Sequence, residues 1–310
     1  MKRWISILAL LPAVTGILIA ILAANQWLAN PVFYFRGNLT PLAVLGGLIL
    51  SGLIVTTFFF WSKNQERVVG CSGGSLYGAQ IANSTNVDKM QEMSKVLWTS
   101  DIMHGYTENL KASKDGALRF NERSGLVDDT FLNKNLEKVY GKLSFSDLKL
   151  PLKIVATDML KGEKVILSDG RLFDAIRASV AIPIIFPPWE VNGRLLTDGA
   201  ASDPLPVDVA IQDGADIIIA MGFPLDYRSR FRSMTAVQEQ LNSIYMNNIL
   251  TSTYAFYNLA HHAEIFPVIP EFDGALSMFD VDKISEVIER GEQATRAQLL
   301  HMKRLLVMQD

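Results

Sequence analysis

Gly70-Cys71-Ser72-Gly73-Gly74 is the stretch that most restricts how this chain can fold. It follows Arg67-Val68-Val69, a short strand signal, and precedes Ser75–Asn83, a run of small and apolar residues that reads as a helix. A serine in a Gly-x-Ser-x-Gly setting between strand and helix sits on a sharp turn with its hydroxyl held out above a sheet. The flanking Gly70 and Gly74 are expected because a side chain there would collide where strand and helix approach. The helix that follows aims its first N–H groups at any negative charge developing beside the serine, with Gly73 N–H as the natural first donor.

A serine on such a turn needs a base. Asp198-Gly199-Ala200 lies about 125 residues further on, at the end of the apolar run Arg194–Thr197. A carboxylate within hydrogen-bond reach can take the serine proton directly, with Gly199 letting the backbone pass close by. Histidine is the other base to weigh. Of His104, His261, His262 and His301, the pair His261-His262 follows Asp198, so the order Ser, Asp, His is also available for a triad. The direct Ser72–Asp198 pair is the simpler reading.

Between and after these motifs the chain alternates. Leu152–Thr157, Glu163–Leu167 and Ile217–Met221 read as strands; Val87–Lys111, Leu172–Ala181 and Val207–Asp213 read as helices, with Ser113–Gly125 a polar loop. Pro183 stops one helix and Pro187-Pro188 sets an extended turn. Met234–Ala260 and Val281–Leu306 are long helical patterns. Alternation of this kind points to an α/β fold with a mostly parallel sheet.

The first 62 residues are of another kind. Trp4–Phe35 and Gly37–Ser62 carry no charged residue, and Trp4–Ala24 and Thr40–Trp61 are each long enough to cross a hydrocarbon core of ~30 Å. Lys2 and Arg3 precede the first segment and Lys63 and Arg67 follow the second, so both flanks favour the cytoplasmic side. The expectation is an N-terminal membrane hairpin over 1–62, a main domain over 63–310, and a multi-pass protein of a bacterial inner membrane with that domain in the cytoplasm. A cleaved signal peptide fits the first segment less well, because its apolar run is too long. The second segment also reads as buried core. The net charge is −3, and it becomes more negative when Lys2, Arg3 and Arg36 are set aside, which argues against nucleic acid as a partner. A single cysteine, Cys71, excludes an intrachain disulfide.

From Arg67 to Pro224 the chain resembles the patatin-like phospholipase family. The residues that carry the resemblance are Val155-Ala156-Thr157-Asp158, Ser168-Asp169-Gly170, Ala175-Ile176-Arg177-Ala178-Ser179, Ile182-Pro183 and Phe186-Pro187-Pro188. To these are added Gly193-Arg194-Leu195-Leu196-Thr197-Asp198-Gly199 and Pro204-Leu205-Pro206-Val207, and the serine turn is similar to that family's nucleophile elbow. The resemblance implies a three-layer α/β/α fold and hydrolysis of phospholipid or lysophospholipid esters through an acyl-enzyme. It implies Ser72 as nucleophile, Asp198 as its partner, and no metal or organic cofactor. Arg177 lies inside the motif, as an ion-pair residue or a contact for substrate phosphate. One departure stands out: the family's Gly-Gly-Gly-x-Arg-Gly loop, a further source of oxyanion donors, has no counterpart beyond Leu45-Gly46-Gly47 and Ser51-Gly52. Thr40–Trp61 is then either a membrane span or the family's first strand and that loop. A relative without a working oxyanion hole, binding lipid or a partner at the membrane, is the non-catalytic alternative.

Overall fold

A computed structural model describes residues 66–99, 121–222, 227, 229–231, 234–260, 264–272 and 283–308. The compact unit Glu66–Met302 carries the elements of interest. The apolar segments Trp4–Ala24 and Thr40–Trp61, the boundary at 62/63 and the pair His261-His262 lie outside the described residues. Among the described residues no helix is long and apolar enough to cross a membrane.

The chain enters through β1 (Val68–Cys71) and passes directly into α1 (Gly73–Ala82). Helix α2 (Val87–Leu97) starts where the Asn86 side chain accepts the Lys89 N–H at 2.8 Å, with Asp88 in its first turn and Lys95 in its last, both matched to the helix dipole. The expected helix over Val87–Lys111 is thus shorter, since Trp98 leaves the helix in an extended conformation. Helix α3 (Thr130–Tyr140) was not anticipated, although Leu132, Leu136 and Tyr140 recur every fourth residue and are all buried. Then come β2 (Leu152–Asp158), β3 (Lys164–Leu167), α4 (Leu172–Ser179), β4 (Trp189–Val191) and β5 (Arg194–Asp198). Helix α5 (Val207–Gln212), β6 (Ile217–Met221), α6 (Met234–Ala260), β7 (Glu264–Val268) and α7 (Ile284–Met308) complete the order.

The α/β character holds, but among the described residues the sheet is mixed and not mostly parallel. In the five-stranded sheet, among those residues, only β1 and β2 are parallel; β2–β3, β2–β5 and β4–β5 are antiparallel. The cause is the length of the connections. A parallel connection needs a crossover of about a dozen residues or more, and two of these joints are tight turns. Between β2 and β3 the Asp158 carboxylate accepts from Leu160 N at 3.0 Å and Lys161 N at 3.1 Å, and Gly162 turns at φ 70. Between β4 and β5, Asn192 and Gly193 take φ 50 and 73, the paired left-handed conformation of a two-residue hairpin. Strands β6 and β7 form a separate parallel pair.

Strand β2 organises the sheet. Ile154 and Val155 pair with both β1 and β3, so those two strands lie on opposite edges of β2. Ala156 and Thr157 pair with both β3 and β5, so β5 shares the β1 edge. Along that edge β1 runs parallel to β2 and ends at Cys71 opposite Val155, while β5 runs antiparallel and ends at Asp198 opposite Ala156. Two strands therefore meet head-on at their C-terminal ends.

The main core lies against β2. Leu76, Ala79, Leu97, Leu132, Leu136, Tyr140, Leu172 and Ile176 from α1 to α4 pack with Ile154. A second cluster joins Leu205 and Val207 to Ile218 and Ala220 of β6, with Leu250 and Tyr254 of α6 against it.

Candidate active site

Ser72 sits where β1 stops and α1 begins, at φ 52 and ψ −128. A serine in this region is strained and persists only when its surroundings fix it. Every polar atom of Ser72 is held. Its N–H donates to Ser179 Oγ at 2.9 Å. Its carbonyl accepts from Ser75 N at 2.9 Å and from Ser75 Oγ at 2.7 Å. Its hydroxyl donates to Asp198 Oδ2 at 2.7 Å.

The other half of the pair is more enclosed. Asp198 is 3% exposed. Its Oδ1 accepts the Ala200 N–H at 2.9 Å, and no cation pairs with it among the described residues. Its backbone N–H donates to Ala181 O at 2.9 Å, and Thr157 Oγ1 donates to its carbonyl at 2.9 Å. Burial pushes the carboxyl up to about 6, against the Ser72 and Ala200 hydrogen bonds that pull it down. A carboxylate with that affinity for protons, touching a hydroxyl, is suited to take the hydroxyl's proton near neutral pH.

The glycines divide by role. A Cβ on Gly70 would lie 2.7 Å from Gly74 O and from Ser75 Cα, so its absence lets α1 start against β1. A Cβ on Gly199 would lie 2.2 Å from Val155 O and 2.9 Å from Cys71 Sγ, at the point where β1 and β5 meet. Gly74 departs from expectation: it is exposed and a Cβ there meets nothing within 4 Å, because it faces away from the strand. Gly73 is also open on its Cα side. The serine hydroxyl points at Asp198 and does not cap the helix. The first N–H groups of α1, those of Gly73 and Gly74, therefore have no side-chain cap, and they carry the positive end of the helix dipole.

Arg177 is fully buried, but not beside the serine. Its Nε donates to Asn133 Oδ1 at 2.6 Å, its Nη2 pairs with Asp129 and donates to Pro187 O at 3.1 Å, and its guanidinium lies 5.1 Å from the Trp189 ring centre. Two positions along α4, Ser179 is rotated by about 200°, to the opposite face, and there it meets Ser72. Arg177 thus serves as an ion-pair anchor to the start of α3. Cys71 is half-buried; burial pushes its thiol up, the Asp198 and Asp203 carboxylates add to this, and Sγ donates to Asp203 O at 3.3 Å.

Sequence reasoning placed Ser72, Asp198, Gly70 and Gly199 in one neighbourhood, and the structure brings them together. It missed Thr157, Ala200 and above all Ser179. The signal for Ser179 was present only as a position inside a family motif. A cavity of about 430 Å³ lined by Arg67, Ser144, Lys153 and Asp213 lies at the starts of β1 and β2, the ends away from Ser72. Among the described residues no cluster of His, Cys, Asp or Glu could hold a metal ion.

A family model described as patatin-like phospholipase matches residues 60–211, a stretch that includes both Ser72 and Asp198. An uncharacterized NTE family protein of Mycobacterium bovis is 30% identical over 196 residues, covering 62% of this chain and 50% of that protein. Patatin-like phospholipase domain-containing protein 6 of Homo sapiens is 29% identical over 158 residues, covering 50% of this chain and 11% of that protein. The chain thus spans half the length of the mycobacterial relative and a small part of the human one. The crystal structure of VipD from Legionella pneumophila aligns with a TM-score of 0.34 at 13% identity, over 76% of this chain and 62% of that one.

Proposed function

Because this chain belongs to the patatin-like phospholipase family, we propose that it is a serine lipid acyl hydrolase that cleaves phospholipid or lysophospholipid esters with a Ser72–Asp198 dyad. The observation that supports this best is the 2.7 Å hydrogen bond from Ser72 Oγ to a buried carboxylate whose proton affinity is raised to about 6.

In the proposed reaction Ser72 Oγ attacks the ester carbonyl carbon while Asp198 Oδ2 takes the hydroxyl proton. The carbonyl oxygen becomes an oxyanion and points at Gly73 N–H and the N-terminus of α1. The intermediate collapses: the C–O bond to the alcohol breaks, and Asp198 returns the proton to the departing oxygen. Water then attacks the acyl-serine with Asp198 again as base, releasing the fatty acid and restoring Ser72. Each amide donor to the oxyanion is worth about 10²–10³-fold in rate. No step calls on a metal or organic cofactor. Attachment to the membrane through Trp4–Ala24 and Thr40–Trp61 is part of the proposal and would bring the site to an insoluble substrate.

The test uses the full chain and a fluorophosphonate probe. Wild type is labelled, whereas Ser72→Ala is not and Asp198→Asn is labelled at least about 10³-fold more slowly. Ester turnover falls in parallel. With Asp198 required as the unprotonated base, kcat/KM declines as pH falls through about 6. Folded wild type that takes no label favours a non-catalytic lipid- or partner-binding role. Loss of turnover in His261→Ala or His262→Ala would favour a triad.

A further inference from the structure

Resting on the Ser72–Asp198 reading, we infer that Ser179, the last residue of α4, is a positioning residue that holds the nucleophile turn in its attacking conformation. Ser179 is 0% exposed. Its hydroxyl makes two bonds at once, accepting the Ser72 N–H at 2.9 Å and donating to Val155 O at 2.7 Å. Val155 is the β2 residue opposite Cys71, so the bridge ties the turn to the strand against which β1 is already registered.

The backbone explains why this bond matters. The Ser72 φ of 52 is fixed by the orientation of the peptide plane that precedes it, and the only polar hydrogen on that plane is the Ser72 N–H. Anchoring that hydrogen in a buried acceptor holds the plane. Without the anchor the plane loses the bond that holds its N–H, and rotation towards negative φ, where a serine is unstrained, swings Cβ and Oγ away from Asp198. The Ser75 bonds to the Ser72 carbonyl fix the next plane and cannot replace this one. Only a side chain that accepts and donates together completes the bridge, which suits a hydroxyl. A second consequence concerns the oxyanion. The Ser72 N–H is already engaged, so the first donor to the substrate oxygen is Gly73 N–H.

Helix α4 is built to deliver this hydroxyl. Arg177 anchors the helix to α3 on one face, and just past its end Ala181 O accepts both Asp198 N at 2.9 Å and Thr197 Oγ1 at 2.6 Å. The C-terminal end of α4 thereby touches the nucleophile through Ser179 and its partner's strand through Ala181.

The test compares full-length wild type, Ser179→Ala and Ser179→Thr in fluorophosphonate labelling rate, kcat, KM and pH profile. Ser179→Ala is expected to label about 10–100-fold more slowly, the scale of a roughly 1 Å misplacement, with kcat falling in step and KM within about twofold. The acid limb of its kcat/KM profile moves up, since Asp198 loses the Ser72 hydrogen bond that holds its carboxyl down. Ser179→Thr, which keeps the hydroxyl, recovers most of the rate and the limb. A Ser179→Ala protein with a lower melting temperature but a wild-type labelling rate and an unmoved limb overturns the inference and leaves the dyad intact. Wild type that takes no label overturns the dyad, and the inference with it. Should both variants fail to fold, amide exchange in wild type decides: a slowly exchanging Ser72 N–H supports the bridge, and exchange as fast as that of an open helix N-terminus overturns it.

Discussion

Gly70 and Gly74 flank one serine, but only Gly70 is kept small by its surroundings. At Gly70 the atoms that a Cβ would meet at 2.7 Å are backbone atoms of α1, which cannot rotate aside. Gly70→Ala must therefore push α1 away from β1, at a cost of about 1–3 kcal/mol, and it shifts Ser72 with the helix. We expect a lower urea midpoint together with at least about tenfold slower fluorophosphonate labelling. At Gly74 a Cβ meets nothing within 4 Å and the backbone is not left-handed. Gly74→Ala exchanges a poor helix former for the best one, worth up to about 1 kcal/mol, so its midpoint should stay level or rise. The two glycines look equivalent in a five-residue motif. Only the direction in which each Cα faces separates them, and that direction depends on where the strand runs.

At the scale of elements, α4 carries its stabilising and its positioning residue on opposite faces. Arg177 is 0% exposed, bonded to Asn133, Asp129 and Pro187, with its Nη1 left without a partner. Replacing it leaves the Asp129 carboxylate, whose side chain is 21% exposed, without its cation. Arg177→Met should then destabilise the domain by about 3 kcal/mol, the lower end for a broken buried pair because Asp129 keeps some contact with water. Urea unfolding measures that loss, while the folded fraction should keep its reactivity towards the probe. A labelling rate that collapses at an unchanged midpoint would instead place Arg177 at the substrate. Helix α4 itself was legible from its apolar spacing and from Pro183 beyond it. The β4–β5 hairpin also carries a strong local signal, Asn192-Gly193 between two short apolar runs. Read from sequence, only Gly193 figures, as the first residue of a longer motif, and so the expected sheet is more parallel than the one found.

For the whole molecule, burial of Asp198 links the proposed activity to stability. The carboxyl binds its proton more tightly in the folded protein, near 6, than its ordinary 3.8, so ionising it opposes folding. At about 1.4 kcal/mol for each tenfold change, the penalty above pH 6 is at most about 3 kcal/mol. It shrinks as pH falls from 6 towards 3.8, where the folded and unfolded forms are both protonated. Asp198→Asn keeps the shape and removes the charge. It should be inactive yet more stable than wild type at pH 8, with the difference fading as unfolding is measured at progressively lower pH towards 4. A stability difference that does not vary with pH would contradict a raised carboxyl. The amino-acid order alone determined what depends on near neighbours: the turn at Ser72 from its glycines, the α/β alternation from hydrophobic spacing, and Asp198 as a candidate partner from its motif. The tertiary structure alone decided that β1 and β5 share one edge of β2 and meet end to end, closing a separation of 126 residues to 2.7 Å. It also decided that Ser179 reaches the turn and that Asp198 is dry. Edge sharing and desolvation are set by segments far apart in the chain, and no local pattern of residues encodes either.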